Sequence, residues 1–200
     1  TTGTEEIVTR PEISGPSDLF LHDSNGNGQQ DIFVAAKSDN AVFVYEQAQR
    51  NAGFGTAKKI AEIITPSSIF LKDLDGDDIA DLLACSEESG QVIWWKNNGQ
   101  NSFGPAVQIV NFGPGTSCVY SADLDDDGDQ DVLVANQWSD KVVWFENNGN
   151  AGFSTEKPVG EGLNGATDIF VEDLFGDGLP DILVASKYSR VSYFQNIGNK

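Results

Sequence analysis

The chain has 200 residues, 39% of them hydrophobic, which is enough for a buried core and too many for a disordered acidic tail. Its 12 basic and 31 acidic side chains give a formal net charge of −19, which argues against nucleic acid or an anionic membrane surface as partner. No run approaches the ~20 apolar residues needed to cross a bilayer. No charged and apolar leader stands ahead of Thr1, so either a signal peptide has been removed or this is a piece of a longer protein.

Taken in chain order, the predicted elements are short strands. Residues 5–10 (EEIVTR) read as a strand without an immediate partner, and residues 18–23 (DLFLHD) follow. An acidic loop, 23–31, leads into a second apolar run at 31–36 (DIFVAA) and a third at 41–46 (AVFVYE). A fourth segment opens at Phe54 and runs through 58–63 (KKIAEI). The order then repeats. The inner runs are 68–73, 118–123 and 168–173, the second runs 81–86, 131–136 and 181–186, and the third runs 91–96, 141–146 and 190–195. Further fourth segments open at Phe103 and Phe153, after turns at Asn97-Asn98-Gly99 and Asn147-Asn148-Gly149. Runs of four to six β-branched and aromatic residues, without helical periodicity and bounded by Gly and Asp turns, are strands.

The acidic loops begin at Asp23, Asp73, Asp123 and Asp173, a constant spacing of 50 residues. Four units of four short antiparallel strands spanning residues 1–200 predict one all-β domain, a β-propeller of four blades. The last repeat stops before its fourth strand, and residues 5–10 align with the missing one. An N-terminal strand completing the last blade would remove exposed sheet edges. Two assemblies satisfy this: a closed four-blade ring, or two chains forming an eight-blade ring as a homodimer.

Each loop has the chemistry of a cation cage. A hard cation such as Ca²⁺ takes six to eight oxygen ligands. Positions 1, 3, 5 and 9 of each nine-residue loop supply side-chain oxygens, and position 7 a backbone carbonyl. The candidates are Asp23, Asn25, Asn27, Gln29 and Asp31 in the first loop, and Asp73, Asp75, Asp77, Ile79 and Asp81 in the second. The third offers Asp123, Asp125, Asp127, Asp129 and Asp131, and the fourth Asp173, Asp177, Leu179 and Asp181, with Phe175 at its third position. The second and third sets are complete, the first is weakened by two amides, and the fourth is the one expected empty, giving two to four ions. An EF-hand is excluded, because position 12 is Val34, Ala84, Val134 or Val184 in place of a bidentate Glu and the flanks are strands.

The acidic loop between two strands, followed by the aromatic third strand, the Asn-Asn-Gly turn and the Phe-opened segment, resembles the FG-GAP/VCBS repeat family. That resemblance extends over all four repeats and implies Ca²⁺ in the loop between the first two strands of each blade. Millimolar extracellular Ca²⁺ would fill such sites, so a secreted module is expected, first of all a lectin-like carbohydrate binder; the alternative, which the resemblance suggests, is a protein–protein adhesion or scaffold unit of a larger extracellular protein.

The remaining residues point to binding and away from catalysis. The one histidine, His22, stands where other repeats have Lys72, Ala122 and Glu172, and reads as a solvent-facing substitution. No nucleophile motif accompanies it, so no enzyme is expected. Trp138 and Tyr188 break the repeat pattern at the end opposite the acidic loops, with Asp140 among the polar groups beside Trp138. An exposed aromatic beside polar groups suits stacking on a sugar, while the alternative for Trp138 is packing on a neighbouring blade. Trp94, Trp95 and Trp144 lie within strands and read as core. Cys85 and Cys118 form either a disulfide or two buried thiols.

Overall fold

The computed structural model describes residues 13–50, 53–160 and 162–198. They form fifteen strands in four antiparallel sheets. Blade 1 comprises β1 (Pro16–His22), β2 (Asp31–Ala36), β3 (Ala41–Tyr45) and β4 (Lys58–Glu62). Blade 2 comprises β5 (Pro66–Lys72), β6 (Asp81–Ser86), β7 (Gln91–Trp95) and β8 (Val107–Asn111). Blade 3 comprises β9 (Thr116–Ala122), β10 (Asp131–Asn136), β11 (Lys141–Phe145) and β12 (Lys157–Gly160). Blade 4 has three strands, β13 (Ala166–Glu172), β14 (Asp181–Ser186) and β15 (Val191–Phe194). The segment 5–10 expected to complete it lies outside the described residues.

This is the meander of propeller blades. The inner strands β1, β5, β9 and β13 neighbour one another in series, carrying a row of aromatic rings. Phe20 to Phe70, Phe70 to Tyr120 and Tyr120 to Phe170 are 4.9, 4.4 and 6.1 Å apart between centroids. The second strands are the most deeply packed, and β6 and β10 are buried along their whole length. Their Leu83 and Leu133 contribute to the apolar layers between successive sheets.

Polar side chains stitch each pair of blades at repeating positions. Ser17, Ser67 and Ser117 donate from Oγ to the carbonyls of Pro66, Thr116 and Ala166, at 2.6, 2.8 and 2.8 Å. One residue on, Asp18 Oδ2 accepts from the Ile69 amide at 2.8 Å and Ser68 Oγ from the Val119 amide at 3.4 Å. These bonds satisfy backbone groups at a strand start where the sheet ladder does not reach them. The outer faces of blades 1 and 4 have no such neighbour among the described residues. Leu19 is 64% exposed where its equivalent Ile69 is 2% exposed, and Val191 is 72% exposed where Val92 is fully buried.

Cys85 and Cys118 are free thiols, both buried, with Cys85 Sγ 3.1 Å from Ser67 Oγ. Of the two alternatives, the thiols are the one found. Burial pushes the Cys85 thiol up to about 12, so it behaves as a small apolar group.

Candidate functional site

The acidic loops join the first two strands of every blade, and one hydrogen-bond scheme shapes all four. The position-nine carboxylates, Asp31, Asp81, Asp131 and Asp181, open β2, β6, β10 and β14 and are completely buried. Each accepts on Oδ1 from the backbone amide just beyond the third strand, at Gln47, Asn97, Asn147 and Asn196, between 2.8 and 3.0 Å. The position-one carboxylates accept from amides inside the loop. Asp73 takes those of Gly76, Asp77 and Asp78, and Asp123 those of Asp127 and Gly128. Positions four and six both adopt positive φ, including the non-glycine residues Asp78 (66°) and Asp126 (62°). The first and fourth loops carry glycine at both positions, whereas the second and third carry it at one only, Gly76 and Gly128.

Two loops bring acid groups together. One carboxylate oxygen from each of Asp73, Asp75 and Asp81 lies within 4.8 Å of the others, and Asp123, Asp125 and Asp131 form a matching cluster. In each, the third-position carboxylate keeps one buried oxygen with no hydrogen-bond partner, Oδ1 of Asp75 and of Asp125. Burial, followed by repulsion from the neighbouring carboxylates, pushes Asp81 up to about 6 and Asp131 up to about 7. Converging, partly unsatisfied oxygens whose ionisation is suppressed are a donor set suited to a hard divalent cation. These residues therefore fit Ca²⁺.

The other two loops differ as their sequences do. In the first, Asn25 donates from Nδ2 to Asp31 Oδ2 at 3.2 Å, and Asn27 donates to the Gln47 carbonyl at 3.1 Å. In the fourth, Phe175 is turned outward against the Tyr193 ring at 5.7 Å and supplies no oxygen. The amides of Gln29, Ile79, Asp129 and Leu179 donate to the position-five side chains of their own loops, which fixes the backbone at position seven. The second loop also holds a group that sequence reasoning missed. Lys96 Nζ bonds to Asp75 Oδ2 and, at 2.8 Å, to Asp77 Oδ2. That contact holds Asp77 below the ordinary carboxylate range.

His22 was expected to face solvent. It is half-buried instead, in a cleft of ≈ 300 Å³ shared with Asp23, Asp78 and Gly99. Burial lowers its affinity for a proton, against the pull of Asp23 and Asp31.

At the opposite end, Trp138 is 67% exposed and is not covered by a neighbouring blade. It lies across Gly115, whose φ is +99°, and a β-carbon there would stand 2.6 Å from the Trp138 ring. Tyr188 repeats this arrangement over Gly165 and is 71% exposed. A cleft of ≈ 290 Å³ beside Trp138 is completed by Lys37, Thr65, Glu87, Glu88 and Pro114, drawn from three blades. Lys37 pairs with Glu87 at 2.5 Å, and Gln137 donates to the same carboxylate at 3.1 Å. Asp140 is not available in this cleft. Its Oδ1 accepts from the Gly165 amide at 2.7 Å, a tie to the next blade. Tyr188 is likewise outside the cleft. The break in the repeat pattern at Trp138 and Tyr188 was the sequence signal for these platforms, and Gly115 and Gly165 beneath them are what the structure adds.

The FG-GAP-like repeat pattern matches residues 23–84, 73–134 and 123–184. Among solved structures, the chain is similar to a lectin from Agrocybe aegerita, solved for its specific recognition of non-reducing terminal N-acetylglucosamine. Identity is 25% and TM-score 0.61, over 90% of this chain and 52% of the lectin chain. It also resembles BBS1N, solved in complex with ARL6DN, with 15% identity and TM-score 0.59, covering 92% of this chain and 56% of that one. Part of the Photorhabdus luminescens Tc holotoxin pore matches with 20% identity and TM-score 0.52, over 88% of this chain and 9% of that one. The chain thus spans about half the length of the first and second of these. A search of curated proteins finds no match.

Proposed function

The chain belongs to the FG-GAP-like repeat family, and on that premise we propose that it is a secreted, calcium-loaded propeller module that binds carbohydrate. The observation that carries this reading is Trp138, an indole held open over a cleft whose rim is polar and charged. Such a platform stacks on the apolar face of a sugar while Glu87, Glu88 and Lys37 meet its hydroxyls. The likeness to the N-acetylglucosamine-recognising lectin supports the same ligand class. Calcium supports the fold: ions held by Asp73, Asp75 and Asp81 and by Asp123, Asp125 and Asp131 would neutralise clustered charge and pin the loops between strands. Sites of the modest affinity common in extracellular modules fill at millimolar calcium, the reason for assigning secretion. The reading is of a binding module and not an enzyme. It excludes nucleic acid on the net charge of −19. No described helix is long and apolar enough to cross a membrane.

A glycan-array screen of labelled protein in calcium, beside an EDTA-treated sample and Trp138→Ala, tests the proposal. Selective binding is expected in calcium. It should be lost in EDTA, and lost in the variant while its circular dichroism and calcium content persist. Binding that survives Trp138→Ala would move the site elsewhere.

A second reading, a protein-adhesion or scaffold module, draws on the apolar outer faces of blades 1 and 4, where Leu19, Leu21, Phe170, Val191 and Tyr193 are exposed. Folded protein that binds no glycan would favour it. The same faces support a homodimer.

A further inference from the structure

The second and third acidic loops carry the same four carboxylates at positions 1, 3, 5 and 9, and by sequence they are equivalent cation sites. The structure makes them unequal through the residue that follows the third strand. That residue is Lys96 in blade 2 and Glu146 in blade 3, with Glu46 and Gln195 in blades 1 and 4. Lys96 reaches back over its own loop and places its ammonium against Asp75 Oδ2 and Asp77 Oδ2. Glu146 brings a carboxylate to the same position in blade 3, and that charge is answered from the other side by Lys157, which also lies 4.3 Å over the Trp144 ring.

We propose that Lys96 is a tethered cation competing with calcium for the second loop, so that the third site fills first and the second only at higher calcium. The inference rests on the calcium reading of these loops. An ammonium of charge +1 satisfies two of the four side chains that a divalent ion would draw together, and leaves Asp75 Oδ1 without a partner. Calcium gains its full oxygen shell only after Lys96 has left. The lysine side chain is 41% exposed and its stem is flexible, so it has water to swing into. Because it is covalently attached, it is present at a fixed effective concentration, and it lowers calcium affinity without changing the ligands themselves. Among the described residues no ammonium bonds to a carboxylate of the third loop: Lys157, whose charge reaches Asp125, is held by Glu146 instead. The second loop is thereby spared much of its like-charge repulsion when calcium is scarce, whereas the third depends on the ion.

Calorimetric calcium titrations test this, with Asp125→Asn weakening the third site to expose the second and Asp75→Asn weakening the second to expose the third. The second site is expected to be the weaker. Lys96→Gln in the Asp125→Asn background should tighten it about tenfold, the scale of losing one partly exposed ion-pair cluster. The reciprocal Glu146→Lys should weaken the third site. Melting with and without calcium provides the readout that separates this from a merely structural lysine, whose loss would lower both melting temperatures alike. Lys96→Gln should lower the melting temperature without calcium and enlarge the rise that calcium produces. Equal affinities at the two sites, or no tightening on Lys96→Gln, would overturn the proposal while leaving calcium binding intact. If neither wild type nor Lys96→Gln takes up calcium, the calcium reading itself fails, and this inference with it.

Discussion

Asp81 and Asp131 are carboxylates without exposed surface, each fixed by backbone amides and facing other acids of its loop. With their pKa values pushed up to about 6 and about 7, both bind protons more tightly when the chain is folded than when it is unfolded. The sign of the linkage follows. Their contribution to stability is fully present below pH ~4, the ordinary carboxylate range, and is lost as pH rises through 6 to 7. Metal-free protein should therefore melt at a lower temperature at pH 8 than at pH 5. Calcium, which favours the ionised form, should remove that loss, and its affinity should fall as pH drops through 7 to 6. Thermal melts across pH in EDTA and in calcium would check this. A melting temperature in EDTA that is flat or rises from pH 5 to 8 would contradict it.

At the scale of the element, β6 and β10 are the strands that tie neighbouring blades together, because both faces of each are covered. Leu133→Ala should cost about 2–5 kcal/mol, whereas Ile64→Ala, in an exposed connection, should fall within about 0.5 kcal/mol. Urea unfolding in calcium would measure both. The strands were legible in the sequence because alternating Gly and Asp turns cut β-branched and aromatic runs to strand length at a fixed spacing. The fourth strand was less so. Phe103 and Phe153 form only single bridges, to Asn97 and Asn147, and β8 and β12 start later, at Val107 and Lys157. The carboxylates of the loops were readable because their ligands are local. Lys96 was not, since it meets Asp75 from 21 residues away, and the cleft under Trp138 was not, since Lys37 and Thr65 come from other blades. Asp140 misled because an acid in a loop looks free until its backbone partner is known.

At the scale of the molecule, the outer faces of blades 1 and 4 repeat the positions that the internal blade contacts bury, yet stand open among the described residues. Phe170, Val191 and Tyr193 on one and Leu19 and Leu21 on the other are matched in character to pairs already packed three times within the chain. Sedimentation velocity in calcium is expected to give a dimer for wild type and a monomer for Tyr193→Asp. A wild-type monomer at every concentration would remove the homodimer from the reading.

The stitching between blades has a consequence for how such a chain changes over generations. Each seam is closed by a serine hydroxyl that bonds to a main-chain carbonyl of the next blade, and at the first two seams the side chain one residue on, Asp18 or Ser68, also takes a main-chain amide. A main-chain carbonyl or amide is offered by any fifty-residue unit, whatever its side chains. Copying or deleting a whole unit therefore preserves the serine bond of every seam, and the row of blades can lengthen or shorten by recombination while the loops and platforms on each unit diverge separately.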